Sequence, residues 1–146
     1  LFLIPGIPSI YYGSEFGIRG TRNNQGDFEL RPSLPPFSQI PDFAKPFVNS
    51  EVLYETITKF AKLRQNQIAL QKGDYKELSI TNETLAFERT FFGEKIIVAI
   101  NSDDFERKID IKQSGELENL LTGEKFYCDG KIPVAGNGIF VGKLVK

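Results

Sequence analysis

The sequence contains no histidine and a single cysteine, Cys128, among its 146 residues. Catalysis or metal binding by imidazole is therefore excluded, and one cysteine forms neither an internal disulfide nor a cysteine-rich zinc site. No apolar run approaches the roughly 20 residues that span a bilayer. With 18 basic and 19 acidic side chains and no basic stripe, the composition also argues against a nucleic-acid partner. We expect no metal, no cofactor and no membrane partner.

Methionine is also absent, even from position 1, and the chain opens within an apolar pattern at Leu1–Ile4. We therefore interpret the sequence as part of a longer protein. A mature secreted protein would also lack an initial Met, but Pro5-Gly6 ends the apolar run too early for the core of a secretory signal. The cellular location stays open, because a signal region, if there is one, would lie upstream of this part. A length of 146 residues allows one ordinary domain or two small units.

The N-terminal region alternates short apolar clusters with turn signals. The unbroken run Leu1–Ile4 is typical of a strand that is buried on both faces, as in a parallel sheet. A strand followed by a tight elbow at Tyr11-Tyr12 fits equally well. The polar stretch 20–27, which is bounded and interrupted by glycine, predicts a loop.

Proline dominates the next segment. Five of the eight prolines fall between Pro32 and Pro46, where they exclude a long helix or a central strand. The segment is therefore predicted to run in an extended form over a surface. Three aromatic residues are expected to hold it there: Phe37, Phe43 and Phe47.

The pattern becomes helical at Asn49 or Ser50. Apolar residues at positions 53, 57, 60 and 61 share one helix face, and Glu51 stands near the start, where the helix dipole favours negative charge. We predict that the helix ends near residues 65–67. Gly73-Asp74 then marks the predicted boundary to a new unit.

After residue 74 the apolar period changes to two, which is typical of strands. The run Ile96–Ile100 predicts a buried strand, and separate strands are predicted at 107–111 and 117–121. Turn signals such as Asp129-Gly130 separate the strands. Short strands at this spacing predict an antiparallel β-sandwich.

Several motifs occur in a recognisable order. The segment Gly6–Gly17 contains Gly-x-Pro, two residues and Tyr-Tyr-Gly-x-Glu; Asp27–Pro32 reads Asp-x-x-x-Arg-Pro; and Leu63–Gly73 has Leu-Arg, then Ala-Leu, then Gly. A later strand ends at Asn101. This series resembles the α-amylase family of glycoside hydrolases over essentially the whole chain, although the stretch Arg19–Gly26 is unlike the commonest form of the family.

The resemblance implies a (β/α)8 barrel followed by a small β-sandwich, acting on α-linked glucans with retention of configuration. The chain would be the C-terminal portion, an α+β fragment. Residues 1–72 would supply the terminal strand, long loop and last helix of the barrel, and residues 74–146 the antiparallel β-sandwich. A retaining site needs two carboxyl groups about 5–5.5 Å apart, and in this family they stand on earlier barrel strands. No catalytic residue is therefore expected in this chain, which would meet an α-glucan or maltooligosaccharide together with the remainder of the barrel.

Four residues are candidates for sugar contact: Asp27, Arg31, Tyr12 and Glu15. In several members of the family the matching Asp and Arg bind hydroxyls at the non-reducing end of the glucan, a task that suits them because each can engage two vicinal hydroxyls. The alternative is a surface ion pair that closes the loop. Tyr12 would stack on a pyranose ring or pack at the strand end. Glu15 would touch a sugar or cap the turn after Gly13.

Two other interpretations of the chain stay open. One is a carbohydrate-binding β-sandwich without catalytic activity, which titration with maltooligosaccharide would distinguish. The other is self-association through Leu1–Ile4, because a strand without neighbours exposes N–H and C=O groups that another chain can pair with. We expect these groups to be covered by a neighbouring chain or bonded by the β domain.

Three further residues or pairs have structural interpretations. Arg64 matches a family arginine and is expected in a buried ion pair that ties the last helix to its surroundings. Asp103-Asp104 is predicted to form a turn rather than a calcium site. Cys128 has no histidine to activate it and is expected to be inert.

Overall fold

The computed structural model describes residues 1–22, 24 and 26–145, with every side chain in those ranges except that of Phe37. The chain divides into two compact units, one formed by Leu1–Gly6 with Leu63–Lys146 and the other by Ile7–Lys62. The described residues form three α-helices: α1 (Ile40–Ala44), α2 (Ser50–Asn66) and α3 (Ile68–Lys72). They also form six strands: β1 (Asp74–Ile80), β2 (Thr84–Phe91), β3 (Glu94–Asn101), β4 (Arg107–Asn119), β5 (Lys125–Val134) and β6 (Ile139–Leu144). None of the described helices combines the length and the apolar character that a membrane crossing needs.

The strands pair into one antiparallel sheet in the order β1-β2-β3-β6-β4-β5. The sheet folds over, because β4 packs against β1 and β2, which are not its neighbours in the sheet. Ser79 Oγ on β1 donates to the carbonyl oxygen of Asp110 on β4 (2.8 Å). The enclosed core takes apolar side chains from all six strands. The predicted fold class, with its antiparallel β-sandwich, is confirmed.

Strands β2 and β3 are buried on both faces. Ile97 and Ala99 point into the sandwich core, so their neighbours Ile96 and Val98 point to the opposite face, where they are also fully buried. Helix α3, whose Leu70 is fully buried, packs against both strands. Burial of each large aliphatic side chain stabilises the fold by about 1.5–3 kcal/mol. The continuous apolar run in β3 thus reflects two apolar layers around an antiparallel strand.

Two predictions about the region of strand β4 are wrong. The predicted strands at 107–111 and 117–121 are one strand that ends at Asn119, and its register with β5 shifts between Asp110 and Ser114. The predicted turn Asp129-Gly130 lies inside β5, opposite this irregularity, with φ of +106° at Gly130. A bulge and a turn both favour glycine with positive φ, so the sequence signal did not distinguish them.

The second unit has a small core of its own. Helix α2 begins at Ser50 as predicted and ends at Asn66. The proline-rich segment is not extended throughout, because it contains the short helix α1, with a proline in the first turn, where the missing N–H costs nothing. Phe47 packs against buried Phe16, Ile40 and Ala44, while Phe43 lies against Phe47 with ring centroids 6.0 Å apart. The predicted contact of Phe37 lies outside the described side chains.

The first residues do not form the predicted strand, since no strand precedes Asp74 in the described part of the chain. The Arg64 guanidinium instead donates hydrogen bonds to three carbonyl oxygens, those of Phe2 (2.7 Å), Ile4 (3.0 Å) and Gly6 (2.6 Å). Alternate residues of an extended strand stand about 6.6 Å apart, so one guanidinium would not reach three of them. The segment must therefore curl around Arg64, and the φ of +110° at Gly6 permits the bend.

A second guanidinium, that of Arg89 on β2, binds the same segment and is almost fully buried. It donates to the carbonyl oxygen of Leu3 (2.9 Å) and twice to that of Gly73 (3.2 and 2.9 Å). Burial lowers the pKa of Arg89, the charge of Arg64 lowers it further, and the carboxylate of Asp74 acts in the opposite direction. The β domain thus bonds part of the Leu1–Ile4 backbone, one of the two outcomes expected.

The ion pair predicted for Arg64 is wrong for the described residues, among which no carboxylate lies within 4.0 Å of its guanidinium. Main-chain carbonyl oxygens take the place of the carboxylate. They satisfy the buried donors without requiring a buried anion. Arg64 still ties helix α2 to its surroundings, but through the backbone.

Arg89→Met is expected to lower the free energy of unfolding by about 2–4 kcal/mol, because buried carbonyl oxygens of Leu3 and Gly73 lose charge-assisted hydrogen bonds. Urea unfolding of this chain, followed by circular dichroism, measures the change. Arg107→Met removes an exposed arginine from β4 and is the matched control, for which a much smaller shift is expected. An unchanged unfolding midpoint for Arg89→Met would contradict this role.

Candidate functional site

The Tyr-Tyr-Gly motif ends in a tight turn. Gly13 has φ of +85°, and a Cβ atom there would lie 2.7 Å from Ile18 Cδ1. The Ile18 amide donates to the Gly13 carbonyl oxygen (3.1 Å), which closes the turn around the single-turn 3-10 helix Ser14–Phe16. The positive φ at position 13 therefore favours glycine, and a larger residue there would also have to displace the Ile18 side chain.

Tyr12 precedes this turn and is partly exposed, at 43% of its full surface. Its ring lies 4.9 Å from that of Tyr11, at an interplanar angle of 45°. Partial burial raises the pKa of the Tyr12 phenol, Tyr11 adds to the rise, and the Arg31 guanidinium lowers it.

The loop that follows is closed by a close backbone approach. A Cβ atom on Gly20 would lie 2.1 Å from the carbonyl oxygen of Glu29, so only glycine fits without a shift of the backbone. The Thr21 amide donates to Glu29 Oε2 (3.2 Å). These contacts bring the two ends of the loop together.

Asp27 and Arg31 stand on one face of a helical turn. The Arg31 amide donates to the Asp27 carbonyl oxygen (3.0 Å), and a separation of four residues in such a turn places both side chains on the same side. Arg31 Nη2 lies 3.7 Å from Asp27 Oδ2. A third residue, Arg22, places its Nε 3.3 Å from Asp27 Oδ1. Sequence reasoning missed Arg22, because a separation of five residues within a loop matches no regular spacing.

The Asp27 carboxylate is attracted by two guanidiniums without being saturated by hydrogen bonds. Its Oδ1 is shielded from solvent and accepts no hydrogen bond from the described residues. The distance of 3.7 Å to Arg31 is also beyond hydrogen-bond range. Arg22 and Arg31 are 81% and 65% exposed, and ion pairs this exposed contribute little to stability. The arrangement compensates the charge of Asp27, and because Oδ1 is shielded, Oδ2 is the oxygen that remains able to accept a hydrogen bond from a ligand.

Glu15 lies on the 3-10 helix Ser14–Phe16, between Gly13 and Gly17. Its Oε2 is shielded and receives no hydrogen bond from the described residues, and no side chain caps this helix. The alternative that Glu15 caps the turn is therefore wrong. Within the described ranges, no hydrogen bond or ion pair joins Glu15 to the other three candidates, so its contact with a sugar stays a prediction.

A cavity of about 760 Å³ lies in the same unit as the candidate residues. Its lining includes Phe16, Pro41 and Tyr54, but none of the four candidate residues. Across the described residues, no three side chains of His, Cys, Asp or Glu come together as a metal ion would require.

Hydrogen bonds from neighbouring side chains and main-chain groups hold the predicted turn at Asp103-Asp104. Buried Asn101 donates from Nδ2 to the carbonyl oxygens of Phe105 (2.8 Å) and Val134 (3.0 Å), and its Oδ1 accepts from the Asp103 amide (3.0 Å). A hydrogen bond from Arg107 holds the pKa of the Asp103 carboxyl below its usual value. The strand-ending asparagine of the motif therefore stabilises this bend.

The aromatic residues of the β domain are divided between core and surface. Phe87 is buried and Phe126 packs edge-on against Phe140, whereas Phe92 and Tyr127 are exposed. Phe91 and Phe92 meet at 83°, so this pair presents no flat surface for a sugar. Cys128 is buried, with its thiol 3.3 Å from the Lys131 carbonyl oxygen.

Several known proteins are similar in sequence to this chain, and the following two are named for cyclomaltodextrins. A cyclomaltodextrinase of Geobacillus thermopakistaniensis (strain MAS1) is 30% identical over 131 residues, which cover 86% of this chain and 20% of that protein. A cyclomaltodextrin glucanotransferase of Bacillus sp. (strain 1011) is 34% identical over 96 residues, which cover 66% of this chain and 12% of that protein. The chain belongs to the α-amylase family. It spans only a fifth or less of the length of these two family members.

The solved structure of the α-amylase from Geobacillus thermoleovorans, in complex with acarbose, matches 99% of this chain and 31% of its own with a TM-score of 0.76. At 23% identity this likeness shows the fold alone. No family model matches the chain. The resemblance inferred from the motifs is confirmed: this α-amylase family chain corresponds to the C-terminal portion of such enzymes.

Gly20→Ala is expected to open the loop of this α-amylase family chain, because the new Cβ atom would collide with the Glu29 backbone. Hydrogen exchange of the Thr21 amide, followed by NMR, should become about tenfold faster or more as its bond to Glu29 breaks. Amides of β3, such as that of Val98, serve as the internal control and should keep their protection. Unchanged exchange at Thr21 would show that the contact at Gly20 does not hold the loop.

Proposed function

We propose that this chain is the C-terminal part of a retaining glycoside hydrolase that acts on α-glucans such as starch, maltodextrin or related oligosaccharides. In this proposal residues 1–72 complete the catalytic barrel and residues 74–146 form its β domain. The nucleophile and the acid/base, which retention requires, stand in the remainder of the barrel. The chain alone is therefore inactive.

The observation that carries this proposal is the state of the Asp27 carboxylate. Two guanidiniums compensate its charge, yet its Oδ1 accepts no hydrogen bond from the described residues. A hydroxyl of a pyranose can donate to Asp27 Oδ2, the carboxylate oxygen that is not shielded, while Arg31 donates to a hydroxyl oxygen of the same sugar. The exposed part of the Tyr12 ring offers an apolar face to the pyranose. Because Glu15 Oε2 is shielded, Glu15 would contribute a further acceptor oxygen through Oε1.

The role of this site is to bind and align the glucan. The bond cleaved by the two catalytic carboxyl groups lies elsewhere on the glucan, so Asp27 and Arg31 act by fixing the position of the sugar chain. Such positioning lowers the entropic part of the barrier, because the reacting bond is already aligned when the substrate binds.

The relatives support the substrate class. Two of them are named for cyclomaltodextrins, and the Geobacillus thermoleovorans α-amylase was solved with acarbose. The match at the level of fold and the agreement of the Asp-x-x-x-Arg motif with an observed Asp27–Arg31 pair together favour an α-glucan.

The complete protein that carries this chain is expected to cleave maltoheptaose and to release the α-anomer first, because two displacements at the anomeric carbon retain its configuration. Proton NMR of the early products distinguishes the anomers. The chain alone is expected to release nothing above a blank without protein, and a β-linked glucan of similar length is the substrate control. Initial release of the β-anomer, or robust turnover by the chain alone, would contradict the proposal.

A further inference from the structure

Arg22 lies outside every motif that the chain shares with the α-amylase family, in the stretch Arg19–Gly26 that departs from the common form of that family. Its Nε lies 3.3 Å from Asp27 Oδ1, on the other side of the carboxylate from Arg31. We propose that Arg22 is a specificity-determining residue that orients Asp27 and donates to hydroxyl oxygens of the same α-glucan. This inference rests on the proposed function of Asp27 and Arg31.

The geometry around Asp27 supports this role. Arg22 lies beside Oδ1 and Arg31 beside Oδ2, so each carboxylate oxygen has a guanidinium within 4.0 Å. A guanidinium carries five N–H donors in one plane. Because Arg22 faces Asp27 through Nε, its two terminal nitrogens remain able to donate to neighbouring oxygens. A sugar seated on Asp27 presents such oxygens.

The position of Arg22 follows from the closure of the loop. Gly20 approaches the Glu29 backbone and the Thr21 amide bonds the Glu29 side chain, immediately before Arg22 in sequence. The helical turn that begins at Asp27 is fixed by the hydrogen bond from the Arg31 amide. These contacts fix the backbone that precedes Arg22 and carry its side chain to the neighbourhood of Asp27.

The charge balance favours a binding role over a structural one. Arg22 is 81% exposed, and an ion pair this exposed stabilises a fold little. Two cations around one carboxylate leave an excess of hydrogen-bond donors at the site. Neutral sugar hydroxyls can satisfy donors and acceptors together, since each hydroxyl both donates and accepts.

The test uses the complete protein with maltoheptaose as substrate. Arg22→Ala is expected to raise KM by about tenfold and to change kcat by less than about twofold, because the lost hydrogen bonds serve binding rather than the chemical step. Arg22→Lys should recover only part of the loss, since a point charge does not reproduce a planar fork of donors. Arg19→Ala is the matched control. It removes the same charge from the same loop at a residue for which the structure describes no ion pair, and KM should stay unchanged.

Companion variants separate this inference from the proposed function. If Asp27→Ala and Arg31→Ala raise KM while Arg22→Ala does not, the inference for Arg22 is overturned and the proposed function stands. If all three leave KM unchanged, the proposed site itself is wrong. The specific role of Arg22 would also be overturned if Arg19→Ala raised KM as much as Arg22→Ala does. The same holds if the rise in KM for Arg22→Ala came with a marked loss of thermal stability.

Discussion

Two buried guanidiniums hold the start of this chain within the unit that contains the β domain. Arg64, near the end of α2, and Arg89, on β2, bind four backbone carbonyl oxygens within the first six residues. Arg89 also holds Gly73, the residue just before β1. Segments that are far apart in sequence thereby become one unit. Carbonyl oxygens satisfy the donors, so both cations are buried with no carboxylate of the described chain within 4.0 Å.

The candidate site depends on a different kind of constraint, the closure of a loop at Gly20. Because no side chain stands there, the chain can pass the Glu29 backbone at close range and present Arg22 beside Asp27. The helical turn that begins at Asp27 then places the Arg31 guanidinium beside the same carboxylate. The charge of Asp27 is compensated at distances that leave hydrogen bonds to be made. An arrangement of this kind contributes little to stability and suits the recognition of sugar hydroxyls.

Periodic features could be predicted from the sequence, and features set by contacts between distant residues could not. Apolar residues at helical spacing predicted α2, and apolar residues at every second position predicted the strands of the sandwich. Both patterns arise because one face of each element is buried. The motif spacing of Asp27 and Arg31 also implied their proximity. In contrast, nothing in the sequence distinguishes a carbonyl from a carboxylate as the partner of Arg64. Glycine at a bulge likewise resembles glycine at a turn, so the sequence predicted a turn at Gly130 where the structure has an irregularity inside β5.

The central claim is that the loop containing Asp27 presents its carboxylate and the Arg31 guanidinium to an α-glucan. A crystal structure of the complete protein with a bound maltooligosaccharide measures this directly. We expect sugar hydroxyl oxygens within about 2.6–3.2 Å of both the Asp27 carboxylate and the Arg31 guanidinium. A glucan that is bound in the catalytic cleft with both side chains more than about 5 Å from every sugar atom, beyond direct hydrogen bonding, would contradict the account.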